Sequence, residues 1–131
     1  MNLYAKLRER AAQGRPLRVG LIGAGKFAAM YLAQVPNTPG VHLVGIADLS
    51  PQNARASLQR VGWPAERYAA PSLDQAATQG LTHIGDDWRS LVAHPAIDIA
   101  IEATGNPIAA VEHVLEAFRQ GKHVVMVNVE A

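Results

Sequence analysis

Apolar residues along this chain fall into short dense runs, separated by stretches in which they recur every three or four positions. The runs at residues 19–22, 41–47, 82–84, 97–103 and 123–127 predict five strands. Two of them, Ile97-Asp98-Ile99-Ala100-Ile101 and His123-Val124-Val125-Met126-Val127, are almost continuously apolar, the pattern of strands covered on both faces. Between the runs the spacing turns helical. A helix over 26–35 is stopped by Pro36, and one reaching residue 60 opens at Ser50-Pro51, with Ser50 as N-cap and Pro51 in the first position. Asp86 or Asp87 caps a helix running to residue 93, which His94-Pro95 stops, and a further helix spans 107–120. Residues 62–80 are the least patterned, with a short helix at 72–78. Ahead of the first strand, Leu3, Leu7 and Ala11 line one face of a helix over 2–13, and Gly14 to Pro16 end it. Strands alternating with helices require a parallel sheet with right-handed crossovers. The predicted fold is α/β, a Rossmann-type doubly wound sheet of order 3-2-1-4-5, with ligands at its carboxyl edge.

Composition narrows the functions available. The chain has 131 residues, 49% of them hydrophobic and 18% charged, which suits a single core and argues against disorder. A net charge of +1, with acids and bases interspersed, gives no footprint for nucleic acid or an anionic membrane. The absence of cysteine removes disulfides and thiolate chemistry. The five histidines never fall at metal-ligand spacing, so no metal site is predicted. No apolar stretch approaches the roughly 18 residues of a membrane span, and residues 1–15 are too charged for a signal peptide. A cytoplasmic location is the expectation.

The chemistry is predicted where strands hand over to helices. After the first strand, Gly23-Ala24-Gly25-Lys26-Phe27-Ala28 fits G-x-G-x-x-G/A. There the first glycine makes the turn, the second admits a pyrophosphate close to the backbone, and the third small residue lets helix pack on strand. Asp48 ends the second strand twenty residues after Ala28, where a carboxylate accepts both ribose hydroxyls of NAD and repels a 2′-phosphate. NAD is therefore favoured, with NADP left open because Arg55 follows on the next helix. The alternative role for Asp48 is as an acid beside the start of that helix. Leu49 follows it at the site. At the end of the fourth strand, Ala103, Thr104 and Gly105 are small enough for a nicotinamide half to approach, and Asn106-Pro107 equally make an ordinary helix start. Glu102 receives no role: it either faces the cleft or pairs with a base that the sequence does not identify. Asn128, after the fifth strand, is either an amide for nicotinamide or substrate, or a cap for the next element.

Taken together, residues 18–28, Ala47-Asp48, Asp86-Asp87-Trp88, Glu102-Ala103-Thr104-Gly105-Asn106-Pro107 and the stretch Gly121 to Asn128 (GKHVVMVN) resemble the cofactor domains of two families. These are the homoserine dehydrogenases and the Gfo/Idh/MocA oxidoreductases. The ending Val127-Asn128-Val129-Glu130-Ala131 is more similar to a homoserine-dehydrogenase-like branch that includes SAF-domain and deoxyxylulose-phosphate-reductoisomerase-like proteins. The resemblance implies an NAD(P)-dependent oxidoreductase acting on a small hydroxy or oxo substrate. It places Gly23, Gly25, Lys26 and Phe27 at the pyrophosphate, Asp48 at the ribose, and Thr104, Gly105 and Asn128 on the nicotinamide side; Ala24, Leu49 and Ala103, their neighbours in sequence, are expected to contact the cofactor as well. It also implies two segments, a helix and linker over 1–16 and an NAD(P)-binding domain over 17–131, with the catalytic domain, and most substrate contacts, absent from this chain. The fragment alone is expected to be inactive, and homo-oligomerisation is left open. The rival readings are a non-catalytic nucleotide-binding or sensing module, a methyltransferase and an FAD-binding domain. The Val19-Gly20-Leu21-Ile22 strand lacks the acid that favours a methyltransferase, and Thr104-Gly105 favours nicotinamide over flavin.

Overall fold

The computed structural model describes residues 2–127. Five strands, β1 (Leu17–Ile22), β2 (Val41–Ala47), β3 (His83–Gly85), β4 (Ile99–Glu102) and β5 (His123–Met126), form one parallel sheet in the order β3-β2-β1-β4-β5. The helices are α1 (Leu3–Ala12), α2 (Lys26–Gln34), α3 (Pro51–Arg60), α4 (Leu73–Gln79), α5 (Trp88–Ala93) and α6 (Pro107–Arg119). The order reverses between β1 and β4, so the loops after these two strands diverge and leave a crevice at the carboxyl edge. No helix among the described residues is long and apolar enough to cross a membrane.

Capping explains where most helices begin. The side chains of Asn2, Ser50, Ser72, Asp87 and Asn106 accept N–H groups in the first turns of α1, α3, α4, α5 and α6. At α5 the Ser90 hydroxyl and N–H both bond Asp87, at 2.6 and 3.1 Å, and hold its carboxyl below the usual range.

Several elements depart from the sequence expectation for local reasons. The helix expected over 26–35 ends at Gln34 and tightens into a 3-10 turn at Val35–Asn37, since Pro36 has no N–H to donate. A 3-10 turn at Ala65–Tyr68 was not expected. β3 begins at His83 instead of residue 82, and the Thr82 N–H bonds the Arg67 carbonyl at 2.8 Å while its buried hydroxyl donates to the Leu43 carbonyl at 2.6 Å. β4 is shorter than 97–103, and the Asp98 carboxylate takes the Arg18 N–H at 2.9 Å. β5 is not covered on both faces. It is the sheet edge, with Val125 50% and Met126 41% exposed.

Two apolar layers hold the sheet. On one face Val19, Leu21, Leu43 and Ile46 pack with Ala28 and Leu32 of α2 and Ala54 and Leu58 of α3. On the other, Ile22, Val44, Ala47 and Ala100 pack with Leu91 and Val92 of α5 and Ala117 of α6. Burying a leucine or isoleucine of this kind contributes about 1.5–3 kcal/mol. An irregularity in the β1–β2 register inserts Val44, so Gly20 and Gly45 come to lie opposite each other. Leu91 occupies the dimple they leave: a Cβ on Gly20 would stand 3.0 Å from it, and one on Gly45 only 2.6 Å. This contact draws α5 onto the sheet and sets Trp88, its first residue, at the carboxyl edge.

One buried hydrogen bond ties α3 to the glycine turn, from the Ser57 hydroxyl to the Ala24 carbonyl at 3.0 Å. Ser57→Ala strands that carbonyl and is expected to lower unfolding stability by about 1–3 kcal/mol in a denaturant titration. A change below a few tenths of a kcal/mol contradicts the assignment.

Candidate functional site

The crevice at the carboxyl edge is a cleft of about 460 Å³. It is lined by Ile22, Gly23, Ala24, Gly25, Ala47, Asp48, Leu49, Asp86, Trp88, Ala103, Thr104, Asn106, Ala109, Glu112 and His113. Its size falls in the range of small-molecule sites. A smaller cavity of about 320 Å³ lies at the opposite, amino edge, beside Pro36, His42, Trp63 and Arg67. Burial holds the His42 imidazole below its usual pKa, against the opposing effect of its bond to the Leu81 carbonyl at 2.7 Å.

The two glycines of the turn do different work. Gly23 has φ +92°, and a Cβ there would stand 2.8 Å from the Ala103 carbonyl oxygen and 2.8 Å from Thr104 Cα. Only glycine fits, for reasons internal to the fold. Gly25 has φ −78°, and nothing lies within 4 Å of where its Cβ would be. The fold makes no demand for glycine there, and the space above it is open. Gly25 is also the N-cap of α2, the one α-helix among the described residues whose cap supplies no side-chain acceptor. The Gly25 carbonyl takes the Ala28 N–H at 3.1 Å, and a helix start without a side-chain cap is one that an anion can complement. Ala28, 2% exposed, packs into the core below, as the motif requires.

Asp48 is anchored before any ligand arrives. One carboxylate oxygen accepts the Ala24 N–H and the other the Ser50 N–H, each at 2.8 Å, while its own N–H bonds the Gly85 carbonyl at 2.9 Å. The two carboxylate bonds fix the side chain across the β1 and β2 loops, beside the start of α3. They leave each oxygen a lone pair for a hydroxyl donor. Leu49 stands beside it, 98% exposed at the cleft.

Across the cleft, Glu102 has found its partner. It is 1% exposed and accepts the Thr104 N–H at 2.7 Å, the Thr104 hydroxyl at 2.5 Å and the Nδ1 of His113. A buried carboxylate costs several kcal/mol unless it is paired and hydrogen-bonded, and three donors meet that condition. The Thr104 hydroxyl donates to Glu102 and accepts the Asn106 N–H at 3.2 Å, so its hydrogen points inward. The His113 ring packs against Trp88, with centroids 4.4 Å apart and planes at 60°. Arg89 covers Trp88 at 4.4 Å and pairs with Glu112 at 2.5 Å. This whole group of residues is braced internally.

Of the residues read from sequence, Gly23, Ala24, Gly25, Asp48, Leu49, Ala103 and Thr104 come together on the cleft wall. Gly105, exposed with φ +72°, lies between two lining residues without lining the cleft itself. Lys26 and Phe27 open α2, and their side chains lie outside the description, as does Asn128. Sequence reasoning missed His113 and Trp88. A signal for His113 existed: Ala110, His113 and Ala117 share the buried face of α6, a histidine among alanines pointing at the strand that ends in Glu102.

Comparison with known proteins identifies the family and the fold. Residues 17–126 match the model of an oxidoreductase family with an NAD-binding Rossmann fold, Gfo/Idh/MocA. The chain is 32% identical over 118 residues to a homoserine dehydrogenase from Methylobacillus glycogenes, covering 87% of this chain and 25% of that protein. It therefore spans about a quarter of that relative. Among solved structures it is similar to a homoserine dehydrogenase from Thiobacillus denitrificans, with TM-score 0.65 and 23% identity over 87% of this chain and 24% of the other. It is also similar to biliverdin reductase from Synechocystis, solved with biliverdin and NADP+. That match has TM-score 0.59 and 25% identity over 85% of this chain and 29% of the other.

The contrast between the two glycines is measurable without a ligand. Gly23→Ala is expected to cost about 1–3 kcal/mol of stability, from backbone strain and the clash with β4. Gly25→Val should cost no more than about 1 kcal/mol, the loss of a favoured N-cap residue. Equal destabilisation of the two variants in thermal unfolding contradicts the division.

Proposed function

The chain belongs to the Gfo/Idh/MocA oxidoreductase family of NAD-binding Rossmann domains, and from that premise we propose how its carboxyl edge receives the dinucleotide. The pyrophosphate lies over Gly25 against the uncapped start of α2. The adenosine ribose lies at Asp48, and the nicotinamide half extends past Ala103, Thr104 and Gly105, with Asn128 beyond. The observation that carries this reading is the empty space at Gly25, a position where the fold itself does not need glycine. The free lone pairs on an already anchored Asp48 support the ribose assignment.

A bound nicotinamide supplies hydride transfer. The residues of this chain hold and orient it: the glycine turn by backbone approach, Asp48 by accepting hydroxyls. NAD is the preferred cofactor, because a 2′-phosphate on the ribose would meet the Asp48 carboxylate. Arg55 is the residue that would favour NADP instead.

The complete protein, on this reading, is an oxidoreductase moving hydride between the cofactor and a small hydroxy or oxo substrate, with residues 17–131 as its cofactor domain and residues 1–16 as a leading helix and linker. Glu102 is committed to His113 and to both Thr104 donors, so it is not a free acid or base for substrate. The acid–base groups that act on substrate are assigned, on this reading, to a second domain. Exposed Ile108, Val111, Leu115 and Phe118 on α6, beside Val125 and Met126 of β5, supply the apolar surface it would cover.

Calorimetric titration with NAD+ and NADP+ tests the cofactor assignment. The unmodified chain should bind NAD+ more tightly. Asp48→Ala should weaken NAD+ about ten- to a hundredfold and NADP+ less, because hydrogen bonds to a charged acceptor contribute about 1.5–3 kcal/mol. Gly25→Val should abolish binding of both. Tighter binding of NADP+ by the unmodified chain overturns the NAD preference, and full binding by Gly25→Val overturns the pyrophosphate assignment.

A further inference from the structure

A dinucleotide in this cleft has a sugar between its pyrophosphate and its nicotinamide, on the β4 side. Most polar groups there are already committed. The Thr104 hydroxyl gives its hydrogen to Glu102 and accepts the Asn106 N–H. Asn106 Oδ1 accepts the Ile108 and Ala109 N–H groups at the start of α6, and Glu112 pairs with Arg89 at the exposed rim. His113 differs from these. It is 7% exposed, yet it lines the cleft, with Nδ1 bonded to Glu102. Nδ1 faces a carboxylate and therefore carries the hydrogen of that bond, which in the neutral ring makes Nε2 the acceptor. Among the described residues Nε2 has no partner. It is not one of the sealed, unpaired polar atoms either, of which Arg10 Nε is the one found, so it keeps contact with solvent.

Its place along the cleft follows from its neighbours. α6 packs on β4 and β5, and α5 on β1 and β2. His113 of α6 bonds Glu102, the last residue of β4, and its ring meets Trp88, the first residue of α5. The ring therefore lies at the seam between the two helices, where β1 and β4 part. One carboxylate separates it from Thr104, since Glu102 bonds both. Asp48, after β2, lies on the far side of β1. A dinucleotide with its adenosine ribose at Asp48 and its pyrophosphate over Gly25 continues toward Thr104. Its covalent order brings the second ribose to the end of β4 first, with the nicotinamide beyond.

Resting on the dinucleotide reading, we propose that His113, oriented by Glu102, binds the nicotinamide ribose of the cofactor, with Nε2 hydrogen-bonded to a hydroxyl of that sugar. A hydroxyl both donates and accepts, so it pairs with the neutral ring as donor and with the imidazolium as acceptor. Glu102 is the positioning residue: its bond to Nδ1 fixes both the tautomer and the ring plane, and the two Thr104 donors fix Glu102 in turn. The two riboses are then received by different devices, a carboxylate after β2 and an imidazole over β4. A site built to hydrogen-bond a hydroxyl discriminates against the analogue that lacks it.

The test compares NAD+ with its analogues lacking the 2′- or the 3′-hydroxyl of the nicotinamide ribose, titrated calorimetrically into the 131-residue chain. The unmodified chain is expected to bind one of the two analogues about tenfold more weakly than NAD+, the value of one well-made hydrogen bond. In His113→Phe that analogue and NAD+ should bind within about twofold of each other. That variant leaves Glu102 without one donor, so the double variant Glu102→Gln/His113→Phe, which removes the buried charge as well, is measured beside it. Thermal unfolding follows both. His113→Gln keeps a group that donates and accepts, and it is expected to retain part of the ratio. Glu102→Gln, with the histidine in place, should lower the ratio, a change that a carboxylate serving only the loop after β4 would not produce. An unchanged ratio there overturns the positioning role of Glu102. If the unmodified chain binds NAD+ and both analogues alike, or the double variant keeps the full ratio, the role of His113 is overturned while the dinucleotide reading stands. Failure of the unmodified chain to bind either NAD+ or NADP+ overturns both.

Discussion

The arrangement depends on one close approach, that of the backbone at Gly23 to the backbone at Ala103 and Thr104. β1 and β4 are neighbours in the sheet but separated by most of the chain, and their loops leave in opposite directions. For the crevice between those loops to have a floor, the chain leaving β1 must turn at once, pressed against the end of β4. A Cβ at Gly23 would sit 2.8 Å from the Ala103 oxygen, so the contact exists only because that atom is missing. The start of α2, the exposed face of Gly25 and the reach of Asp48 to the Ala24 N–H all follow from this turn.

Rigidity and binding are divided among different atoms of the same residues. The Asp48 carboxylate is held by two backbone N–H groups and keeps its remaining lone pairs for a ligand. His113 is held through Nδ1 by Glu102. Trp88 is braced by Arg89 on its face and by the His113 ring at its edge. Groups fixed in this way lose little conformational entropy when a ligand arrives, which makes each new hydrogen bond worth more in affinity. The exception is α2, whose cap Gly25 supplies no side-chain acceptor and takes the Ala28 N–H only through its carbonyl. On the proposed reading, the positive end of that helix, complementary to negative charge, receives the pyrophosphate.

Whatever depended on local chemistry was legible in the sequence. Ser50-Pro51 and Asn106-Pro107 place helix starts to the residue, because capping and the fixed φ of proline act within a turn. The strand order followed from the alternation of strands and helices together with the glycine motif, and it matches the sheet. Contacts set by register across strands were not legible. The insertion at Val44 aligns Gly20 with Gly45 and seats Leu91, and nothing in either strand alone announces it. Glu102 could be seen to need a partner, but its identity required knowing which face of α6 lies over β4. The apolar run at 123–127 suggested burial on both faces. Hydrophobicity alone cannot distinguish a strand inside a sheet from one at an edge whose apolar side chains remain exposed.

The most direct test of the central claim, that the carboxyl-edge crevice is the dinucleotide site, is a backbone amide NMR titration of the chain with NAD+. The expected shifts concentrate at Gly25 and the first turn of α2, at Asp48 and Leu49, and at Thr104 and Gly105. The amino-edge residues His42, Trp63 and Arg67 should stay unperturbed. Shifts centred on those amino-edge residues, or an α2 N-terminus that does not respond at saturating NAD+, would contradict the account.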